Sequence, residues 1–397
     1  MTVSKQKLVC IATGTFLMMF CHGIVNNSTA YFILPVTEFL GCTKTKFSAF
    51  YTILSTATAF VSALSATILP HLRLRQKLFS SCIAVTGGYL ILSQTNGLWS
   101  IYIAAAVIGI FQAFWVVPVV QIINGWFKGR SGFVTGITMS ATGFGGLFMG
   151  AIMPSVVKWY GWRSGYRLCA AMCFFLSFAV CFLIEEPITE HQNFTKQKGN
   201  GKRTEEYKRL LKTSLFWLLM LTALVQGGVG MISQHFNALM EMRGFGVSLI
   251  SVVMGGMSLL LSLFKIAEGL FSKHIRIELL APFVTFSGCV GYFALLSPTV
   301  PALGVGVLGY ACSSAGCTVL YPLILRNLYG DELAAKAWGV CWAAFMVGHG
   351  MWTLFYARVL DITGSYNWGL VISAILVALC AAALIWMQRN KRVRENI

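Results

Sequence analysis

Apolar residues run along this chain in blocks of 18 to 33 residues, most of them separated by short polar turns. Twelve blocks can be read, at roughly 8–40, 47–70, 78–95, 98–126, 132–157, 166–185, 214–240, 247–273, 279–297, 301–328, 335–360 and 367–388. A helix that crosses the hydrocarbon of a bilayer needs ~20 apolar residues. The blocks therefore predict an all-α membrane protein with twelve transmembrane helices. The only long polar stretch is EPITEHQNFTKQKGNGKRTEEYKRLLKT, 186–213, and it divides six helices from six. The expected organisation is an N-terminal six-helix bundle over 1–185, a cytoplasmic linker over 186–213 and a C-terminal six-helix bundle over 214–397. Lys5 and Lys7 precede the first block as they would in a signal peptide. The block continues through Ile24 and resumes to Leu40 without a small-residue cleavage site, so it reads as a retained first helix.

Composition agrees. The chain is 57% hydrophobic and 11% charged, against about 25% charged in soluble domains. Its mean hydropathy is +0.73. The formal charge of +17 does not point to nucleic acid, because Lys and Arg collect in the cytoplasmic loops of membrane proteins and fix their orientation. With both termini cytoplasmic, 22 of the 30 Lys and Arg fall on the inside and seven on the outside, leaving Lys265 within a span. The cell membrane is the expected location. The twelve cysteines are scattered through apolar runs without zinc-like pairing, so they read as small packing residues.

The two halves carry traces of a repeat. HLR at 71–73 follows the second block and HIR at 274–276 the eighth, an offset of 203. Gly136 and Gly145 in the fifth block match Gly339 and Gly348 in the eleventh at the same offset, and Pro118 and Pro322 differ by 204. Parallel six-helix repeats place a binding site near the membrane midplane between them.

With this layout, the chain resembles the major facilitator superfamily over essentially its whole length, and within it the monocarboxylate and oxalate/formate branch. WFKGRSGFVTGI, 126–137, looks like that branch's segment between the fourth and fifth helices. WYGWRSGYRL, 159–168, resembles its element after the fifth helix, and GHGMWTLFYARVLDITGSYNWGL, 348–370, the end of its eleventh. The resemblance implies the two-bundle fold with pseudo-symmetric halves. It also implies a cation in the eighth helix, four residues before a glycine, that meets a substrate carboxylate; Lys265 before Gly269 takes that position, with Lys for the more usual Arg. The chain departs from proton-coupled relatives at Leu261, where they carry Asp, and in lacking their first-helix lysine. It departs from oxalate exchangers in the eleventh helix, where His349 stands instead of a second cation. HLRLRQK, 71–77, lacks the usual Gly and Asp.

Lys265 is the residue the pattern cannot absorb. A charge near the bilayer centre costs roughly 2.5–3.5 kcal/mol on insertion scales. If the helix ends at 273, Lys265 lies about 12 Å from the cytoplasmic end, where snorkelling is only partial. Three readings stand side by side, one of them a gating pair near the cytoplasmic mouth. Glu268, three residues on, shares a helix face and could form a local ion pair. Alternatively Lys265 binds an anionic substrate, with Glu268 modulating its charge or carrying a proton. Candidate lining residues are Asn27 and Tyr31 in the first helix, Gln112 and Trp115 in the fourth, and His349 with Trp342 in the eleventh, where Trp342, Phe345, His349 and Thr353 form one helical stripe. Packing is the competing role for the aromatics. His235 and Gln234 lie near the outer end of the seventh helix, either lining an outer vestibule or forming a solvated helix end, and His22 reads as satisfied core.

Neither a P-loop, nor GxSxG, nor HExxH, nor a metal-ligand cluster occurs in the sequence. No enzymatic activity and no cofactor are expected. The sequence points to a monomeric secondary transporter of a small organic anion, working by proton symport or exchange against a counter-anion. Proton-driven efflux of hydrophobic compounds is the alternative.

Overall fold

The computed structural model describes residues 5–64, 73–127, 130–185 and 210–389. Helix α1, Lys5–Ser28, breaks in a 3-10 turn at Thr29–Tyr31 and resumes as α2, Ile33–Leu40; together they make the first span. Pro35 falls in the first turn of α2, where its missing N–H costs no helical bond. Helices α3 (Lys44–Ala63), α4 (Leu74–Ser93) and α5 (Leu98–Trp126) are the second to fourth spans. The fifth and sixth run as one 53-residue element, α6, Ser131–Leu183, turned at Gly161 (φ 79°, ψ 161°). The seventh is split into α7 (Ser214–Val229) and α8 (Ile232–Met242) after the glycine-rich QGGVG. Helices α9 (Val247–Phe271) and α10 (Ile277–Ala294) follow as the eighth and ninth spans. The tenth and eleventh form the 64-residue α11, Val300–Thr363, turned at Gly330, and α12, Asn367–Arg389, is the twelfth.

Twelve passes are therefore present, in a different number of helical elements from the one expected. Two pairs of expected helices follow one another without a loop, divided by a glycine of non-helical φ and ψ, Gly161 or Gly330. Two expected single helices, the first and seventh, are broken. The linker residues 186–209, His71 and Leu72 of the HLR motif and the C-terminal basic residues 391–394 lie outside the described residues.

The halves pack by one plan. Helix α1 lies along α6 as α7 lies along α11, and α4 packs on α5 and α6 as α10 packs on α11 and α12. The 203-residue offset reappears in backbone conformation. Gly41 and Gly244 close the first and seventh spans with φ of 61° and 78°, and Gly161 and Gly364 close the fifth and eleventh with φ of 79° and 67°. Side chains rarely adopt positive φ, so this recurrence marks the repeat more sharply than the sequence motifs do.

Between the halves, α6 packs on α9 and α3 on α11. Side chains exposed on the outer surface of the spans are apolar, among them Phe175, Phe182, Phe283 and Leu379, as a lipid-facing surface requires. All twelve cysteines are unpaired and most are buried, in keeping with a packing role. At the end where the linker attaches, Lys7 forms an ion pair with Glu185 at 2.5 Å and stands over the ring of Trp126, tying α1 to the end of α6.

Candidate functional site

Lys265 on α9 is 4% exposed, and its ammonium reaches across the seam to the other half. It donates to Thr142 Oγ1 at 2.6 Å and to the Met139 carbonyl at 3.3 Å, both on α6. The Thr142 hydroxyl itself donates to Met139 O at 2.9 Å, so its oxygen is turned to the ammonium as an acceptor. The two helices approach this closely because glycine faces glycine. A Cβ on Gly136 would stand 3.0 Å from the Cα of Gly269, and one on Gly269 would stand 2.7 Å from the Gly132 carbonyl. Ser262, three residues before Lys265, donates to Ser140 O at 3.1 Å and extends the same polar seam.

The local ion pair with Glu268 is not formed. Glu268 is 2% exposed, and neither of its carboxylate oxygens has a hydrogen-bond partner. Positions three apart on a helix sit about 60° apart around its axis, enough for the two side chains to serve different neighbours. Lys265 turns to α6. Glu268 turns to α11, where a Cβ on Gly316 would lie 3.6 Å from its Oε2. Because α9 ends at Phe271, Lys265 lies about 9 Å from that end, closer than the expected boundary implied.

Around this pair the two halves differ. In the first half the polar groups around Asn26 satisfy one another, while the buried hydroxyls of Thr52, Ser62 and Thr86 have no partner. Asn26 approaches the ring nitrogens of His22 at 3.3 and 3.1 Å, donates to Gln112 Oε1 at 3.4 Å and accepts from Tyr51 at 3.3 Å. Gln112 donates to Thr58 at 2.7 Å. In the second half, Trp338, Trp342, Phe345 and Tyr321 form an aromatic cluster with centroid separations of 5.1 to 6.5 Å. Trp338 Nε1, Trp342 Nε1, the Tyr321 hydroxyl and His349 Nδ1 are buried there without partners. Such groups cost free energy unless something else meets them.

Several predicted residues converge. Asn27 donates to the Gly23 carbonyl at 2.7 Å and reaches the carbonyl of Thr142, the residue whose hydroxyl holds Lys265. Trp342 meets the ring of His22 edge-on across the seam at 5.8 Å. His22 is in electrostatic range of both Lys265 and His349. Others stand apart. Tyr31 faces Gly150 further along α6, Gln112 braces α5 against α1 and α3, and Trp115 is fully buried in the apolar core. His235 contacts the Tyr366 hydroxyl and the Thr353 carbonyl, both at 3.2 Å, a brace within the second half. Sequence reasoning left His22 as core and did not single out Asn26 or Thr142. The i, i+4 spacing of His22 and Asn26 on one face was the available signal; for Thr142 there was none.

The seam is tight at the linker end. Lys273 stands over the Phe133 ring at 4.7 Å, and Arg326 donates to Ser131, both across the seam. Toward the far end of α9, Gly255 and Gly256 face open space, with nothing within 4 Å of where a Cβ would be.

Comparison with known proteins gives the same frame. The family model described as Major Facilitator Superfamily matches residues 15–351. Monocarboxylate transporter 12 of Rattus norvegicus is 21% identical over 180 residues, 45% of this chain and 37% of that protein. The oxalate:formate antiporter of Oxalobacter formigenes is 23% identical over 278 residues, 66% of this chain and 63% of that protein. The chain thus spans less than two thirds of the length of either relative. A crystal structure of the nucleoside transporter NupG, an aspartate-to-alanine mutant, superposes with a TM-score of 0.67 at 14% identity, covering 96% of this chain and 99% of that one. That likeness is one of fold.

Proposed function

The chain belongs to the Major Facilitator Superfamily, and from that premise we propose that it carries a small organic anion, most simply a monocarboxylate, by alternating access. It is a membrane transporter and not an enzyme. The observation that carries the substrate class is the Lys265 ammonium, buried at the seam and compensated by two neutral acceptors, Met139 O and Thr142 Oγ1. Charges inside membranes mark substrate paths when they face a protein interior, and a compact ammonium suits a carboxylate without requiring a bidentate fork. Two relatives named for small carboxylates support this reading.

With the linker cytoplasmic, the contacts of Lys273 with Phe133 and of Arg326 with Ser131 hold the inner end of the seam closed. An anion entering from the outer end takes the ammonium from Thr142 and Met139. When the halves rock and α6 parts from α9, those neutral acceptors are withdrawn. An empty carrier then leaves a charge uncompensated, at a cost of roughly 2.5–3.5 kcal/mol, whereas a loaded one keeps its carboxylate. Glu268 is the proposed proton carrier, since both its oxygens are buried and free of hydrogen bonds. Proton symport and anion exchange both fit this cycle. The aromatic cluster around Trp338 and Trp342 favours a second reading, efflux of apolar compounds.

Uptake of labelled carboxylates of one to four carbons into proteoliposomes, beside dye efflux, separates the two readings. For anion carriage, Lys265→Gln should lower uptake at least thirtyfold, about 2 kcal/mol, with the protein still eluting as a folded species. Parental uptake in that variant would sink the proposal.

A further inference from the structure

Away from the seam, a cavity of about 760 Å³ opens on the lipid-facing surface between α10 and α12. Its walls are two helical stripes. On α10, Arg276 is followed by Leu279, Phe283 and Phe286 at steps of three, four and three. On α12, Ala378, Ala382 and Ile385 lead to Arg389 at steps of four, three and four. The helices run antiparallel, so both arginines fall at the linker end and the apolar positions lie beyond them. Bulky side chains on α10 face alanines on α12, and that mismatch leaves the groove. Phe283 and Leu279 are 72% and 67% exposed.

The dimensions are those of a lipid. From Arg276 to Phe286 is ten residues, about 15 Å of helix, or half of the ~30 Å hydrocarbon thickness. The rim is cationic. Arg276 and Arg389 are exposed, and neither is in an ion pair among the described residues. The rim carboxylate, Glu278, is turned to α11 by a 3.0 Å bond from Asn327. Basic pockets between spans on the cytoplasmic side suit anionic headgroups. A zwitterionic headgroup would bring its own cation to a rim that is already positive. A soluble anion would leave the apolar groove unused. A second copy of this chain, docking by two-fold symmetry, would set the same arginines against one another.

We infer that the α10–α12 groove binds one anionic glycerophospholipid of the linker-side leaflet, its phosphate between Arg276 and Arg389 and an acyl chain along Leu279, Phe283 and Phe286. Native mass spectrometry of the full chain, titrated with phosphatidylglycerol or phosphatidylcholine, tests this. One phosphatidylglycerol should be retained in preference to phosphatidylcholine. Arg276→Gln and Arg389→Gln should each weaken that preference about fivefold. Ala382→Trp, at an exposed position, fills the groove without touching the charge and should abolish the adduct. Equal retention of both lipids by the parental protein overturns the inference without any variant. So does competition by inorganic phosphate alone, retention in Ala382→Trp, or a dimer mass in place of the lipid adduct.

Discussion

Two buried glutamines summarise the difference between the halves. Gln112, in the first half, uses both ends of its amide: Oε1 accepts from Asn26 and Nε2 donates to Thr58. Gln226, in the second, accepts from Ser313 and Cys317 while its Nε2 has no partner. Around them, Glu268, His349, Trp338, Trp342 and Tyr321 present unsatisfied carboxylate, ring and phenol atoms, whereas the unsatisfied groups of the first half are the lone hydroxyls of Thr52, Ser62 and Thr86. A repeated frame therefore carries two chemistries. A saturated network has a single arrangement and works as a scaffold. In the proposed cycle, unsatisfied groups beside the seam are the ones available to a passenger. Lys265 joins the two, because it belongs to the second half and rests on the first.

The largest effect should come from prising that joint apart. Gly136→Val would drive methyl groups into the Lys265 carbonyl and Gly269, an overpacking of about 1–3 kcal/mol against the linker-end-closed state. Uptake should stop in a protein that still folds, and a cysteine placed by Ser272→Cys should become accessible to a maleimide from the linker side. Normal transport by Gly136→Val would mean that the α6–α9 contact is not part of the cycle.

A smaller effect measures the contrast itself. Asn26→Leu strands the Tyr51 hydroxyl, Gln112 Oε1 and a His22 ring nitrogen, and should cost about 1–3 kcal/mol in thermal unfolding. Gln226→Leu should be nearly neutral, because Ser313 keeps the Thr285 carbonyl and Cys317 keeps that of Ser313. Equal losses in the two variants would erase the distinction between scaffold and ligand-facing half.

The smallest expected change is in Glu268→Gln. No hydrogen bond of the carboxylate is lost, so folding and saturated uptake should persist while the dependence of uptake on the proton gradient disappears. If acidification outside still drives uptake as in the parental protein, another group carries the proton.

Much of the architecture was legible along the chain. Apolar blocks announced the spans, because a bilayer demands a minimum length of helix wherever the chain crosses. The 203-residue repeat was visible in Gly136, Gly145, Gly339 and Gly348, and it returned in the backbone at Gly41, Gly161, Gly244 and Gly364. Lys265 stood out because a lone charge in an apolar block is costly wherever it ends up. The breaks at Thr29–Tyr31 and after Val229 were less legible, since each falls inside a block that reads as one continuous span.

From the sequence by itself came what repeats locally or is forced by the solvent: the helical class, the number of passes, the two halves and the residue that violates the pattern. Only the tertiary structure decided which way that residue turned. Lys265 had a carboxylate three residues away and chose a hydroxyl 123 positions distant on α6, while Glu268 faced α11. The reason is geometric. Adjacent positions on one helix point to different neighbours, and which neighbours are within reach is set by close approaches such as Gly136 on Gly269, between segments that share no local signal.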